Sequence, residues 1–194
     1  MKAVRLDRKL QLASGISIAL LIALSVLSYR RVVASTTGAV WVEHTHQVIE
    51  RLAGLLSATQ DIETGYRGFV ITGDERFLVP YQDGLSKAPA SLAAIATLTT
   101  DNPAQQRRIP RLTALIGQKI QFGDQVVRLR RDLGAPAASE RIAGDEGTSG
   151  MGLMEEIRNL IREMRGDEEH LLVARRAIAD RSFNRLTVAL VLAP

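Results

Sequence analysis

Residues 63–80, ETGYRGFVITGDERFLVP, decide how the chain folds. An apolar repeat enters this stretch through Val48, Leu52, Leu55, Thr59 and Ile62, and it continues at Tyr66 and Phe69. Its steps alternate between four and three residues, the spacing that holds one helix face against a neighbouring helix. Gly73 and Asp74 then break the pattern. Glycine suits the left-handed residue just past a helix end, and aspartate suits the N-cap of the next helix. Leu78, Tyr81 and Leu85 restart the repeat. The stretch therefore predicts a corner at which two long helices fold back on each other.

Upstream, the rhythm extends to Trp41 and Thr45, so the first helix of the corner is expected from about Ser35 to Thr72. Gly54, Gly65 and Gly68 each cost it about 1 kcal/mol of helix propensity relative to alanine, which points to close helix contacts or a place for backbone movement. Downstream, a second helix is expected from Glu75 to Leu98, kinked by Pro80 and Pro89. Asp101-Asn102-Pro103 reads as the next helix start, with Asn102 as N-cap and Pro103 in the first helical position. The third helix then runs to about Leu133 through Ile109, Leu112, Leu115, Ile116, Ile120, Val126, Val127 and Leu129, bent at Pro110. Residues 134–150 are the least regular, with one short helical turn near Ala137 to Ile142. The last helix starts near Ser149 and keeps the rhythm through Met154, Ile157, Ile161, Met164, Glu168, Leu171, Arg175, Ile178 and Ser182. Four long helices joined by short connections define an all-α, up-down-up-down four-helix bundle. No strand pattern competes.

The ends have a different character. Residues 1–9 are basic, through Lys2, Arg5, Arg8 and Lys9, and residues 10–29 carry no charge at all. About 20 such residues cross a bilayer core as a helix, and basic residues before the span favour a cytoplasmic N-terminus. A cleaved signal peptide is the alternative, but its apolar core would be shorter, and Val33 to Ser35 makes a poor cleavage site. Residues 186–194, LTVALVLAP, are apolar again and read as the start of a second span that continues past Pro194. The expected organisation is thus a cytoplasmic 1–9, a first transmembrane helix at 10–29, an extracytoplasmic domain at 30–185 and part of a second transmembrane helix from 186.

Composition narrows the chemistry. The chain has no cysteine, which removes disulfides, thiol catalysis and thiolate metal sites. Aromatics make up only 4%, in keeping with an aliphatic helical core. The net charge of +4 comes from arginines scattered beside acids and from basic groups flanking the apolar run. Membrane topology explains those groups better than a nucleic-acid partner does. His44 and His46, two apart, point about 200° away from each other on a helix and cannot share a metal ion. No phosphate loop, no nucleophile with a base and no cofactor motif is present, so neither a cofactor nor a catalytic residue is expected.

Two polar residues, Glu168 and Arg175, occupy positions of the last helix where the rhythm asks for apolar side chains. A buried unpaired charge is costly, so each calls for a partner on another helix or subunit. Counting along antiparallel helices puts Arg51 at the height of Glu168. Arg67, beside Tyr66 near the corner, is a fixed cation that could hold a carboxylate or phosphate ligand; the plainer reading pairs it with Glu63 four residues earlier or with an N-terminal acid of the last helix. Tyr66, Arg67, Glu168 and Arg175 are therefore the candidate ligand or signalling residues.

Glu63, Thr64, Gly65, Arg67, Gly68, Thr72, Gly73 and Asp74 together resemble the first signature of the CHASE3 family. Met154, Ile157, Arg158, Met164, Glu168, Leu171, Leu172 and Arg175 resemble its second. Asp101-Asn102-Pro103 and the Leu129 to Ala138 region resemble its middle, and the resemblance covers about residues 36–185 in order. It implies a helical extracytoplasmic sensor of a bacterial receptor in the inner membrane. Its parent would be chiefly a sensor histidine kinase, with diguanylate cyclases and chemoreceptors as other carriers. A homodimer is expected from receptor architecture, with a small-molecule or mechanical stimulus. A membrane-anchored structural bundle without an output domain is the rival.

Overall fold

The computed structural model describes residues 3–144 and 150–191, with side chains over 10–29, 39–144 and 150–177. Among the described residues the chain is all-helical. Helix α1 spans Ala3–Thr72, a 3-10 turn spans Glu75–Phe77, α2 spans Leu78–Leu98, α3 spans Pro103–Leu133, α4 spans Ala135–Ala143 and α5 spans Gly150–Val191. The helix expected from about Ser35 begins much earlier, because residues 30–34 hold neither proline nor glycine and α1 runs through them from the apolar stretch. The apolar segment from 186 remains helical to Val191, and residues 192–194 lie outside the described residues.

The chain forms two compact units, Met1–Glu43 with Ala174–Pro194, and His44–Val173. In the first, Leu10–Tyr29 is a 20-residue helical stretch long and apolar enough to cross a membrane. Its large apolar side chains are all exposed. Its hydroxyl at Ser17 is satisfied locally, donating to the Ala13 carbonyl at 2.9 Å. Arg175 of α5 lies over the Trp41 ring of α1, its guanidinium carbon 4.7 Å from the ring centroid.

In the second unit, α1, α2, α3 and α5 contribute to one apolar core, joined by Ala138 of α4. The α1 repeat is buried as its spacing requires: Val48, Leu52, Leu55, Thr59, Ile62, Tyr66 and Phe69 all face inward. Each large side chain among them gains about 1.5–3 kcal/mol from leaving water. Thr59 occupies the seam without leaving a stranded hydroxyl, because its Oγ1 donates to the Leu55 carbonyl at 2.7 Å. On α5 the seam follows Met154, Ile157, Ile161, Met164 and Glu168, but then Leu172 is buried rather than Leu171. A step of four replaces the expected three because 3.6 residues per turn drifts against a strict heptad.

The corner has the chemistry its sequence demands. Gly73 is left-handed at φ 72°, and its N–H donates to the Phe69 carbonyl at 2.8 Å. Asp74 caps as expected, accepting from the Arg76 N–H at 2.9 Å. The element that it caps is the 3-10 turn, so α2 begins three residues later than expected, at Leu78. Past the corner the backbones of α1 and α2 come close. A Cβ on Gly84 would lie 2.6 Å from the Ala58 carbonyl oxygen, and one on Gly65 would lie 2.7 Å from Tyr81 Cβ. At the start of α3, Asn102 Oδ1 accepts from the N–H groups of Ala104 and Gln105 at 3.1 and 3.3 Å.

Candidate functional site

A lysine is buried in the core near the corner. Lys119, in the middle of α3, has no solvent exposure. An unpaired ammonium there would be prohibitive, so its surroundings must supply acceptors. They supply three: Glu63 Oε2 at 3.0 Å, the Tyr66 hydroxyl at 3.3 Å and the Gly150 carbonyl at 2.7 Å. The ammonium also lies 5.5 Å from the centroid of the Tyr66 ring. Three N–H donors meet three acceptors, which leaves Lys119 no proton to offer a ligand. Glu63 and Tyr66 belong to α1 and Gly150 opens α5, so one side chain of α3 fastens both helices at the same level.

The neighbours explain why these residues are required. A Cβ on Gly150 would lie 2.6 Å from the Tyr66 hydroxyl oxygen and 2.7 Å from Phe122 Cε1, so only glycine brings its carbonyl this close. The rings of Tyr66 and Phe122 meet edge to face, with centroids 5.9 Å apart. Burial lowers the pKa of Lys119 from its ordinary 10.5, against the opposing pull of Glu63. Burial, aided by the charge on Glu63, pushes the Tyr66 phenol up, so it stays protonated.

Arg67 completes the group. Its Nη2 is 2.9 Å from Glu63 Oε1, the pairing expected from their spacing. Glu63 is thus held by two cations, one on each carboxylate oxygen. Arg67 is 38% exposed, and its buried Nε has no hydrogen-bond partner. Unlike Lys119, it has donors left over. The cluster cannot activate a nucleophile, because its lysine is saturated and its tyrosine is held neutral. It can fix three helices in register and present one guanidinium outward.

A second polar knot lies at the start of α3. Glu168 is 3% exposed and accepts from Gln105 Nε2 at 3.0 Å and Asn102 Nδ2 at 3.3 Å. Gln105 also donates to the Met164 carbonyl at 2.8 Å. The expected partner Arg51 is wrong: it is exposed, because it precedes the inward-facing Leu52 and the helix turns by about 100° per residue. Among the described residues no cation reaches ion-pair distance of Glu168, and two side-chain amides serve instead.

Of the four residues singled out from sequence, Tyr66 and Arg67 therefore come together, Glu168 sits in a separate knot, and Arg175 packs on Trp41 in the other unit. Sequence reasoning missed Lys119 and Gln105. The signal was present, since Leu112, Ile116, Lys119, Gly123 and Val126 alternate by four and three. A lysine on that seam is the mark of a buried cation. Among the described residues, no group of three or more His, Asp or Glu side chains could hold a metal ion.

The model of the CHASE3 domain matches residues 38–177, well over half of the chain. The chain belongs to the CHASE3 family, extracytoplasmic sensor domains of signalling proteins. No curated protein and no solved structure matches it.

Proposed function

We propose that this chain is the membrane-anchored sensor part of a bacterial receptor in the inner membrane, with a histidine kinase as its output. Residues 30–185 would form an up-down-up-down four-helix bundle on the periplasmic side, as a homodimer. Residues 1–9 would be cytoplasmic, 10–29 the first transmembrane helix, and the segment from 186 the start of the second. The observation that carries this reading is the continuity of α1, in which the apolar stretch Leu10–Tyr29 passes without a break into the matched sensor region. A stimulus, chemical or mechanical, would bias two packings of α1 against α5 and pass the shift along them as helix movement. Tyr66 and Arg67 would act in that switch near the corner, Glu168 at the far end of α3 and Arg175 beside Trp41.

A reporter active only in the periplasm, fused at Gly147 of the full chain, should be active. Activity of a cytoplasm-only reporter at that site would refute the topology. Joining the chain to a kinase output and measuring phosphorylation in the Lys119→Met variant tests the signalling step. Unchanged output across its conditions would refute a role for the cluster.

A further inference from the structure

Between α1 and α5, in the unit formed by residues 44–173, lies a groove of about 290 Å³ lined by Ala53, Leu56, Ser57, Gln60, Ile161 and three arginines. The arginines are Arg158, Arg162 and Arg165, spaced so that one face of α5 presents all three. Their partners differ. Arg165 Nε is 2.8 Å from Glu169, and Arg158 is 3.7 Å from Glu155. Arg162 in the middle donates only to the neutral amide oxygen of Asn159, at 2.7 Å. Among the described residues no carboxylate reaches it. The opposite wall offers a hydroxyl and an amide, from Ser57 and Gln60, above a floor of Leu56 and Ile161.

We propose that this groove binds a small organic anion with two oxyanion groups, one held by Arg162 and the other by Arg158 or Arg165. Guanidinium groups grip such oxygens through paired N–H donors, which an ammonium cannot do. The arginines at either end of the face stand about 10 Å apart along the axis, at 1.5 Å per residue. Two acid groups joined by a short carbon chain therefore fit between Arg162 and one neighbour. The volume lies at the small end of ligand sites, which excludes a peptide helix. A second copy of the chain laying the same face here would set like charges against each other. The site deepens the sensor reading by naming a ligand class. Binding, however, is measured on this chain without any output, so a chain that binds and does not signal would fail that reading alone.

The test is titration calorimetry on the full chain in detergent, with succinate and with inorganic phosphate as separate probes. Succinate should bind with a Kd below about 1 mM, more tightly than phosphate, and more weakly as salt rises. Arg162→Gln should weaken it at least about tenfold, the loss of one charge-assisted contact. Ser57→Asp, which adds a negative charge on the opposite wall, should weaken it as much, while Arg107→Gln on exposed α3 surface should leave it unchanged. Far-UV circular dichroism of both groove variants should match the parent. No succinate binding, or binding indifferent to both groove variants, overturns the proposal. So does a phosphate affinity equal to that of succinate, since one oxyanion would then suffice.

Discussion

Replacing Lys119 with methionine should destabilise the sensor unit by about 3 kcal/mol. The side chains are of similar length, so the volume is kept and the cavity cost is small. What changes is the polar balance. The Gly150 carbonyl, taken by the ammonium at 2.7 Å, loses that partner in a buried position, which costs about 1–3 kcal/mol. Removing one member of a buried ion pair costs about 3–5 kcal/mol when the other is stranded. Glu63 is not stranded, because it is 15% exposed and keeps Arg67 at 2.9 Å, so the low end of that range applies. A chain of this size loses about 2–4 °C of Tm per kcal/mol, so the expected fall is about 6–12 °C.

The assay is thermal unfolding of the full chain in detergent, followed by far-UV circular dichroism. Glu63→Gln and the double variant complete a cycle, in which the coupling between Glu63 and Lys119 should exceed about 1 kcal/mol. A Tm within about 2 °C of the parent for Lys119→Met would refute the reading, since the lysine would then not be held by these groups. Additive effects of the two substitutions would refute the pairing while leaving the burial intact.

Gly73→Val should cost at least about 1 kcal/mol, because a β-branched residue is strained at φ 72° and its Cβ would lie 2.7 Å from Arg130 Nη2; chemical denaturation measures it, and an unchanged midpoint would refute the corner. Glu168→Ala should cost about 1–2 kcal/mol, less than a broken buried ion pair, since Gln105 keeps its bond to the Met164 carbonyl. In a double-mutant cycle that loss should couple to Gln105→Ala and add independently to Arg51→Ala. Stability should also respond to alkali in two opposed ways. The pKa of Lys119 is lowered on folding, so the unfolded chain binds more protons below pH 10.5 and stability rises with pH towards that value. The pKa values of Tyr66 and Tyr81 are raised on folding, so stability falls once pH passes their ordinary 10.0. The Lys119→Met profile, set lower throughout by the loss of the lysine, should lack the rising limb and keep the fall at higher pH, and a rising limb retained by the variant would refute the assignment.

The elements governed by local chemistry were legible in the sequence. Val48 to Phe69 declared a buried face through spacing alone, Gly73 declared its left-handed backbone, and Asn102-Pro103 declared a helix start. Those signals lie within a turn or two of the structure they cause. The start of the first helix was misjudged for a local reason too: nothing between Tyr29 and Ser35 stops a helix, and α1 accordingly runs through. The polar sites were less legible because they depend on helix phase across the core. Arg51 was placed by counting residues along the helix, but one step of rotation turns it outward while Leu52 faces in. Lys119 was passed over because a seam was sought among apolar side chains. Its acceptors come from α1 and α5, and no local spacing reveals that the Gly150 carbonyl would reach it.

The two knots also divide the helices by how firmly they are held. Lys119 ties α3 to the first residue of α5, and Gln105 ties α3 to Met164 and Glu168 of the same helix. These ties lie about 21 Å apart along α3, at 1.5 Å per residue. Sliding α5 against α3 would break both and strand buried polar groups at each end, so the two should move as one piece. Helix α1 joins this piece at the corner end, through Glu63 and Tyr66 on Lys119 and through its close packing on α2 at Gly65 and Gly84. Towards Val48 its buried face is apolar apart from Thr45 and Thr59, and the Thr59 hydroxyl is met within its own helix. Apolar contacts are nondirectional and re-form after a small shift, whereas the corner contacts do not. Movement of α1 against the α3–α5 pair should therefore pivot at the corner and grow towards Val48.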